Sequence, residues 1–346
     1  MMEFESFLLE QLKKHPSMQA QDIVKLCYQA AYGAEHLLSD MDAARACFMQ
    51  EFESTPPGEG EVFESISPDF VRVNIGPWKH QGLPAKWLFE LFRLSAAPSE
   101  QGRERLAEKL RAAEKVLPHS GVSKSGWQEY LEDYVNRGMP PVHHSGEYRE
   151  AENPAYRLVR RPLLRLLPVL ERLEAWQGRP CVIAIDGRAG SGKSTLAEAL
   201  GQMLDADIVH MDDFFLPLEL RSPERLSAPG GNVHYERFKE EVLPKLRSSK
   251  AFCYNVFSCS KMQLDGVRTV RAGDYRIVEG SYSLHPEFGD YADVAVFSHV
   301  ESEEQLRRVK ARDGEGAAEM FVARWIPMEE KYFAAFDIAE KCSVIV

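Results

Sequence analysis

Residues 181–195 read CVIAIDGRAGSGKST: an apolar run, an aspartate, and then Gly187-x-x-x-x-Gly192-Lys193-Ser194, followed by the helical run LAEALGQML. A buried strand, a glycine-rich turn and a helix in that order fit a phosphate-binding loop. Glycines at 187, 190 and 192 let the backbone curl so that successive N–H groups face phosphate oxygens, and the helix adds the positive end of its dipole. The spacing predicts that Gly187, Gly190, Ser191, Gly192, Lys193, Ser194 and Thr195 form the cradle. Lys193 would reach the β- and γ-phosphates, and the Ser194 hydroxyl would hold magnesium.

Working outward, short apolar runs at 208–211, 252–257, 275–278 and 294–297 alternate with helical stretches, the pattern of a parallel sheet with helices on both faces. Upstream the periodicity is helical, at 21–38 (QDIVKLCYQAAYGAEHLL), 86–94, 102–116 and 156–176, the last divided by Pro162 and Pro168. One short strand is expected at 70–75. Gln177-Gly178-Arg179-Pro180 is a helix stop and turn. The reading is therefore a mainly α-helical domain over residues 1–175, then an α/β phosphate-loop NTPase domain over residues 176–346.

A chain of 346 residues is long for one domain, which agrees with that division. No segment approaches the roughly 18 consecutive apolar residues of a membrane span, so no membrane partner is expected. The first residues, MMEFESFLLEQLKKHPS, lack the basic start and short apolar run of a secretion signal, so a cytoplasmic location is the expectation. The six cysteines show no CxxC pair or metal-finger spacing. A formal charge of −11 argues against a nucleic-acid partner, because that binding needs a basic surface.

The run 208–211 leads into Asp212-Asp213-Phe214-Phe215. In a parallel sheet the carboxyl ends of the strands share one edge, so Asp212 is expected near the phosphate loop, where it could serve as general base and help hold the metal. Capping a turn is the commoner use of such an aspartate. A second apolar run ends in Glu279-Gly280, whose carboxylate can complete the magnesium shell opposite Ser194. Arg308 and Arg312, four apart in EEQLRRVKAR (303–312), share a helix face; they could close over a transferring phosphate, or form a solvated basic face.

With GxxxxGKST, MDDFF, VEG and an Arg-rich helix in that order, residues 179–346 resemble the uridine kinase, phosphoribulokinase and pantothenate kinase group. The resemblance implies an ATP- and magnesium-dependent phosphotransferase acting on an alcohol group of a small molecule. Asp212 would be its base, Glu279 its strand-end acid, and Arg308 and Arg312 its lid. Uridine kinases carry Asn-Phe-Asp for the ribose where this sequence has Asn232-Val233-His234. Their base-reading tyrosine corresponds to Tyr254, but the histidine after it corresponds to Cys259. The resemblance therefore implies a mechanism rather than a particular substrate, the acceptor being nucleoside-like, sugar-like or vitamin-like.

Residues 221–235 (RSPERLSAPGGNVHY) have the composition of a substrate-side flap, with Arg221, Arg225, His234 and Tyr235 as candidate contacts. In the first domain, Glu35, His36, His80, His143 and His144 have no recognised ligand spacing. That domain is expected to contribute to substrate choice, regulation or dimerisation, and a homo-oligomer is compatible with the reading. A nucleotide-switched regulatory ATPase acting through the helical domain is the alternative. The sequence contains neither a guanine-reading Asn-Lys-x-Asp nor an ABC-type Ser-Gly-Gly segment.

Overall fold

The computed structural model describes residues 2–34, 40–96, 101–248 and 250–346, and the chain divides into two units, Met1–Leu164 and Arg165–Val346. The division falls ahead of the helix Leu167–Glu174, which the sequence reading had placed in the first domain and which packs on the sheet of the second unit.

The first unit is mostly helical. Its amphipathic helices, among them Ala20–Tyr32, Ala85–Ser95 and Gly102–Val116, bury Leu26, Trp87, Phe89, Phe92 and Leu106. They accompany a three-stranded antiparallel sheet, β1 (Phe63–Ser65), β2 (Phe70–Asn74) and β3 (Tyr156–Arg160). Strand β2 was expected, but β3 corrects the helix read over 156–176. Its apolar residues continue into those beyond Pro162 and imitate one helical stripe, yet its backbone pairs with β2, Val71 facing Val159. Residues 35–38, read as the end of a helix, lie outside the described residues.

Several polar groups buried in this unit satisfy one another, although Arg72 Nε and Trp127 Nε1 find no partner among the described residues. His144 bonds Asp22 at 2.9 Å and the Tyr156 hydroxyl at 2.6 Å, while buried Arg72 donates to Gln11 and Gln29. Burial pushes the His144 imidazole down to about 4. No group of three or more His, Cys, Asp or Glu among the described residues could hold a metal ion, and Glu35 and His36 lie outside those residues.

The second unit contains β4 (Cys181–Gly187), β5 (Ile208–His210), β6 (Phe252–Ser258), β7 (Gln263–Val270), β8 (Tyr275–Glu279), β9 (Val294–Ser298) and β10 (Val344–Ile345). Five of them form a parallel sheet in the order β10-β9-β4-β8-β5, an α/β phosphate-loop NTPase architecture. Strand β4 is buried along its whole length, as a central strand covered on both faces requires. Ile185 and His210 both face Glu279 in register, which brings the carboxyl ends of β4, β5 and β8 to one place.

Strand β6, expected in the parallel sheet, instead pairs antiparallel with β7 in a separate hairpin. Its alternation explains this: Phe252, Tyr254 and Phe257 turn inward while Cys253 and Asn255 face out. No helix among the described residues is long and apolar enough to cross a membrane.

Candidate functional site

The loop after β4 is tight because a glycine starts it. Gly187 has φ 138°, and a Cβ there would stand 2.1 Å from the Ser298 carbonyl oxygen at the end of β9. Gly192, at φ 91°, then admits the helix Lys193–Leu204. The Lys193 ammonium folds back over the loop, donating to the carbonyls of Gly187 at 2.8 Å and Arg188 at 2.9 Å.

Side chains distant in sequence brace this loop. Arg165 donates to the Ser191 carbonyl at 2.9 Å and to the Ser298 hydroxyl at 3.0 Å. The helix Ile326–Phe336 supplies two consecutive acids. Glu329 accepts from the Ala189 amide at 2.9 Å and the Ser281 hydroxyl at 2.6 Å, and Glu330 takes Arg188 bidentately at 2.6 and 3.0 Å. Burial raises the Glu329 pKa, although Lys193 and its own hydrogen bonds oppose the rise. Asp186, fully buried, accepts from the amides of Gly187, Tyr282 and Leu284 and from the Tyr332 hydroxyl. Burial lifts its pKa to about 6 against those donors.

Glu279 ends β8 with its two oxygens divided between neighbours. One meets His210 Nδ1 at 2.6 Å and the other accepts from Ser194 Oγ at 3.2 Å. The bond to Glu279 raises the His210 pKa. Asp212 follows β5 in a short 3₁₀ turn, Met211–Phe214, and its carboxyl faces an open cavity. The surrounding protein, and after it the charge of Glu279, raises the Asp212 pKa. Its neighbour Asp213 turns into the protein, accepting from Tyr254 at 2.9 Å and Arg268 at 2.7 Å.

The cavity, about 670 Å³, is lined by Lys193, Ser194, Thr195 and Glu279, by Arg308 and Arg312, and by Asp212, Asn232, Phe215 and Trp325. A space of this size is typical of small-molecule sites. Arg308 pairs with Glu304 at 2.7 Å and reaches the Gly190 carbonyl at 3.3 Å, and Arg312 pairs with Asp313.

The candidate substrate contacts are placed elsewhere. Arg221 bonds the Leu216 carbonyl at 2.8 Å, and the His234 amide bonds Phe214, with burial lowering its imidazole pKa. Tyr235 lies under the Arg225 guanidinium at 3.6 Å and stacks on His285. Tyr254 is buried with its hydroxyl on Asp213, so none of Arg221, His234, Tyr235 or Tyr254 lines the cavity. Conversely, Arg165, His210, Tyr282 and Glu329 escaped the sequence reading, and Asn232, though within the flap, was not among its candidate contacts. Only His210, two residues before Asp212 on the same strand edge, carried a local signal.

No family model and no curated protein matches the sequence. Among solved structures, the chain is similar to a provisionally assigned uridine kinase from Bacillus stearothermophilus, at 20% identity and a TM-score of 0.41 over 52% of this chain and 96% of that one. A provisionally assigned fructose transport system kinase from Silicibacter sp. gives 25% identity and 0.41 over 53% and 98%. Deoxyadenosine kinase from M. mycoides gives 16% and 0.22 over 48% and 90%.

Proposed function

We propose that the second unit is an ATP- and magnesium-dependent kinase that transfers the γ-phosphoryl group to a hydroxyl of a small molecule. The observation that carries this reading is the state of the acids lining the cavity. Glu279 and Glu329 are both hydrogen-bonded to protein groups, whereas the Asp212 carboxylate makes no hydrogen bond among the described residues and faces the same space as Lys193.

An unpartnered carboxylate beside a phosphate cradle suits a base that takes the proton of an attacking hydroxyl. The acceptor oxygen would form its bond to the γ-phosphorus while the bond to the β-phosphate oxygen breaks, the proton passing to Asp212 and ADP leaving. The loop amides and Lys193 would bind the phosphate chain, and Arg308 and Arg312 would take up charge on the transferring group. Ser194, Glu279 and Asp212 offer hard oxygen donors of the kind magnesium prefers, and their grouping near Lys193 fits that ion. Magnesium, when bound, would neutralise phosphate charge.

Asp212→Asn tests the reading. It should keep ATP binding and lose transfer by roughly 10²–10⁴-fold, since the base goes and the cradle stays. Full transfer activity in this variant would refute the assignment. Turnover to free phosphate that depends on a protein partner would favour the switch ATPase instead.

A further inference from the structure

Asn232 lies in the flap with 6% of its surface exposed, lines the cavity, and has no hydrogen bond at either side-chain amide atom among the described residues. Its backbone is held firmly: the Leu216 amide donates to its carbonyl at 2.9 Å, and Phe215 bridges Val233 beside it. Leaving a buried amide without partners costs about 1–3 kcal/mol, so such a group calls for an explanation. The Tyr282 hydroxyl lies beside it without the geometry of a hydrogen bond.

Tyr282 is itself held in an unusual state. It has φ 74°, a left-handed conformation that bulky residues rarely adopt, and its amide is anchored on Asp186 at 3.1 Å. Strain of this kind costs of order 1–3 kcal/mol and persists where surrounding structure enforces it, commonly at ligand sites. Phe215 and Trp325, with ring centroids 6.5 Å apart, supply aromatic wall nearby.

The charges lining the cavity come from few elements. The cations lining it are Lys193, Arg308 and Arg312, all on the phosphate loop or the Arg-rich helix. The flap arginines are engaged elsewhere, Arg221 with Leu216 and Arg225 with Glu236, and beyond the flap Arg237 and Arg268 bond Asp213. Asp212 and Glu329 meanwhile line the same space. A phosphate or carboxylate on the acceptor would lie near Asp212 and Glu329 and would compete with the phosphate chain for Lys193, Arg308 and Arg312.

We propose that Asn232, seconded by Tyr282, is the specificity-determining reader of an uncharged, hydroxyl-bearing acceptor. Its amide donates to one substrate oxygen and accepts from a neighbouring hydroxyl, while a further hydroxyl is presented to Asp212. The inference rests on the kinase reading, which supplies the direction from which phosphate arrives.

The test combines paired acceptors with two variants of the full chain. Sugars and polyols are assayed beside their phosphorylated or carboxylated counterparts, with wild type, Asn232→Ala and Asn232→Asp. Wild type should phosphorylate an uncharged member, and Asn232→Ala should raise the KM for that acceptor about 10- to 100-fold, as expected for two lost neutral hydrogen bonds. The KM for ATP and the melting temperature should stay near wild type, which a purely structural role would not predict. Asn232→Asp, which adds a carboxylate to the cavity that Asp212 lines, should impair the acceptor step at least as much.

A preferred acceptor bearing phosphate or carboxylate overturns the inference, and so does an unchanged acceptor KM in Asn232→Ala. Transfer to an anionic acceptor that Asp212→Asn abolishes would leave the kinase reading standing and remove only this one. ATP binding with no transfer to either panel would remove both.

Discussion

Asp186→Asn perturbs the group that ties the phosphate loop to the segment after β8. The carboxylate takes four donors, the amides of Gly187, Tyr282 and Leu284 and the Tyr332 hydroxyl. An asparagine keeps one accepting oxygen and turns its NH₂ toward two of those donors. Tyr332 can rotate its hydroxyl to accept, but the Leu284 amide cannot, which costs about 1–3 kcal/mol. Removing a buried charge offsets part of that at neutral pH, so the absolute stability change is small and the pH dependence is diagnostic. Asp186 ionises near 6 in the fold, against 3.8 unfolded. Its contribution is therefore fully present below 3.8 and falls as pH rises to about 6, by about 3 kcal/mol in all. The variant lacks this dependence. Hydrogen exchange at the Tyr282 and Leu284 amides, corrected for intrinsic rates, reads the second unit without requiring two-state unfolding of the whole chain. The protection of wild type relative to the variant should fall roughly 150-fold between acid and neutral pH, the equivalent of that energy. A flat ratio, or one rising with pH, would refute this account of Asp186.

Two further outcomes follow from the site. Because burial and Glu279 raise the Asp212 pKa, and the base must be ionised, transfer should fail on acidification at a pH above the ordinary aspartate value of 3.8; a kcat profile flat down to 3.8 would count against Asp212 as base. Gly187→Ala should destabilise the second unit by at least about 3 kcal/mol, since overpacking against the Ser298 carbonyl adds to a φ of 138° that alanine tolerates poorly. A thermal melt and a nucleotide titration check it, and near-wild-type results in both would contradict the loop geometry.

The parts of this fold that were legible in the sequence are those where chemistry restricts the residue types locally. A phosphate loop needs glycines and a lysine at fixed spacing, and strand ends of a parallel sheet share an edge, so Lys193, Ser194, Asp212 and Glu279 could be grouped before any coordinates. The braces could not. Glu329 and Glu330 reach the loop from a helix some 140 residues downstream, and Arg165 reaches it from upstream, with no spacing to announce either. Strand β7 was hidden for a different reason: with all but its last residue exposed, QLDGVRTV shows no inward stripe, and only its backbone pairing to β6 makes it a strand. Tyr254 shows the limit of correspondence between sequences, since its hydroxyl is taken by Asp213, a neighbour that the flanking residues did not suggest.

That exchange between Asp212 and Asp213 bears on the chemistry. Two adjacent aspartates at a strand exit are equivalent by composition, but the 3₁₀ turn sends them to opposite environments. Asp213 meets Tyr254 and Arg268, which hold it in a fixed, charge-balanced place. Asp212 lines the cavity, where desolvation by the surrounding protein and then the like charge of Glu279 favour its protonated form. A carboxylate bonded to a tyrosine and a guanidinium has its oxygens already engaged, whereas one that lines the cavity without a hydrogen bond among the described residues can meet a substrate hydroxyl. The pair is thus divided into an anchor and a candidate base. Substituting Asp213 should act through the placement of Tyr254 and β6, whereas substituting Asp212 should act on the transfer step itself.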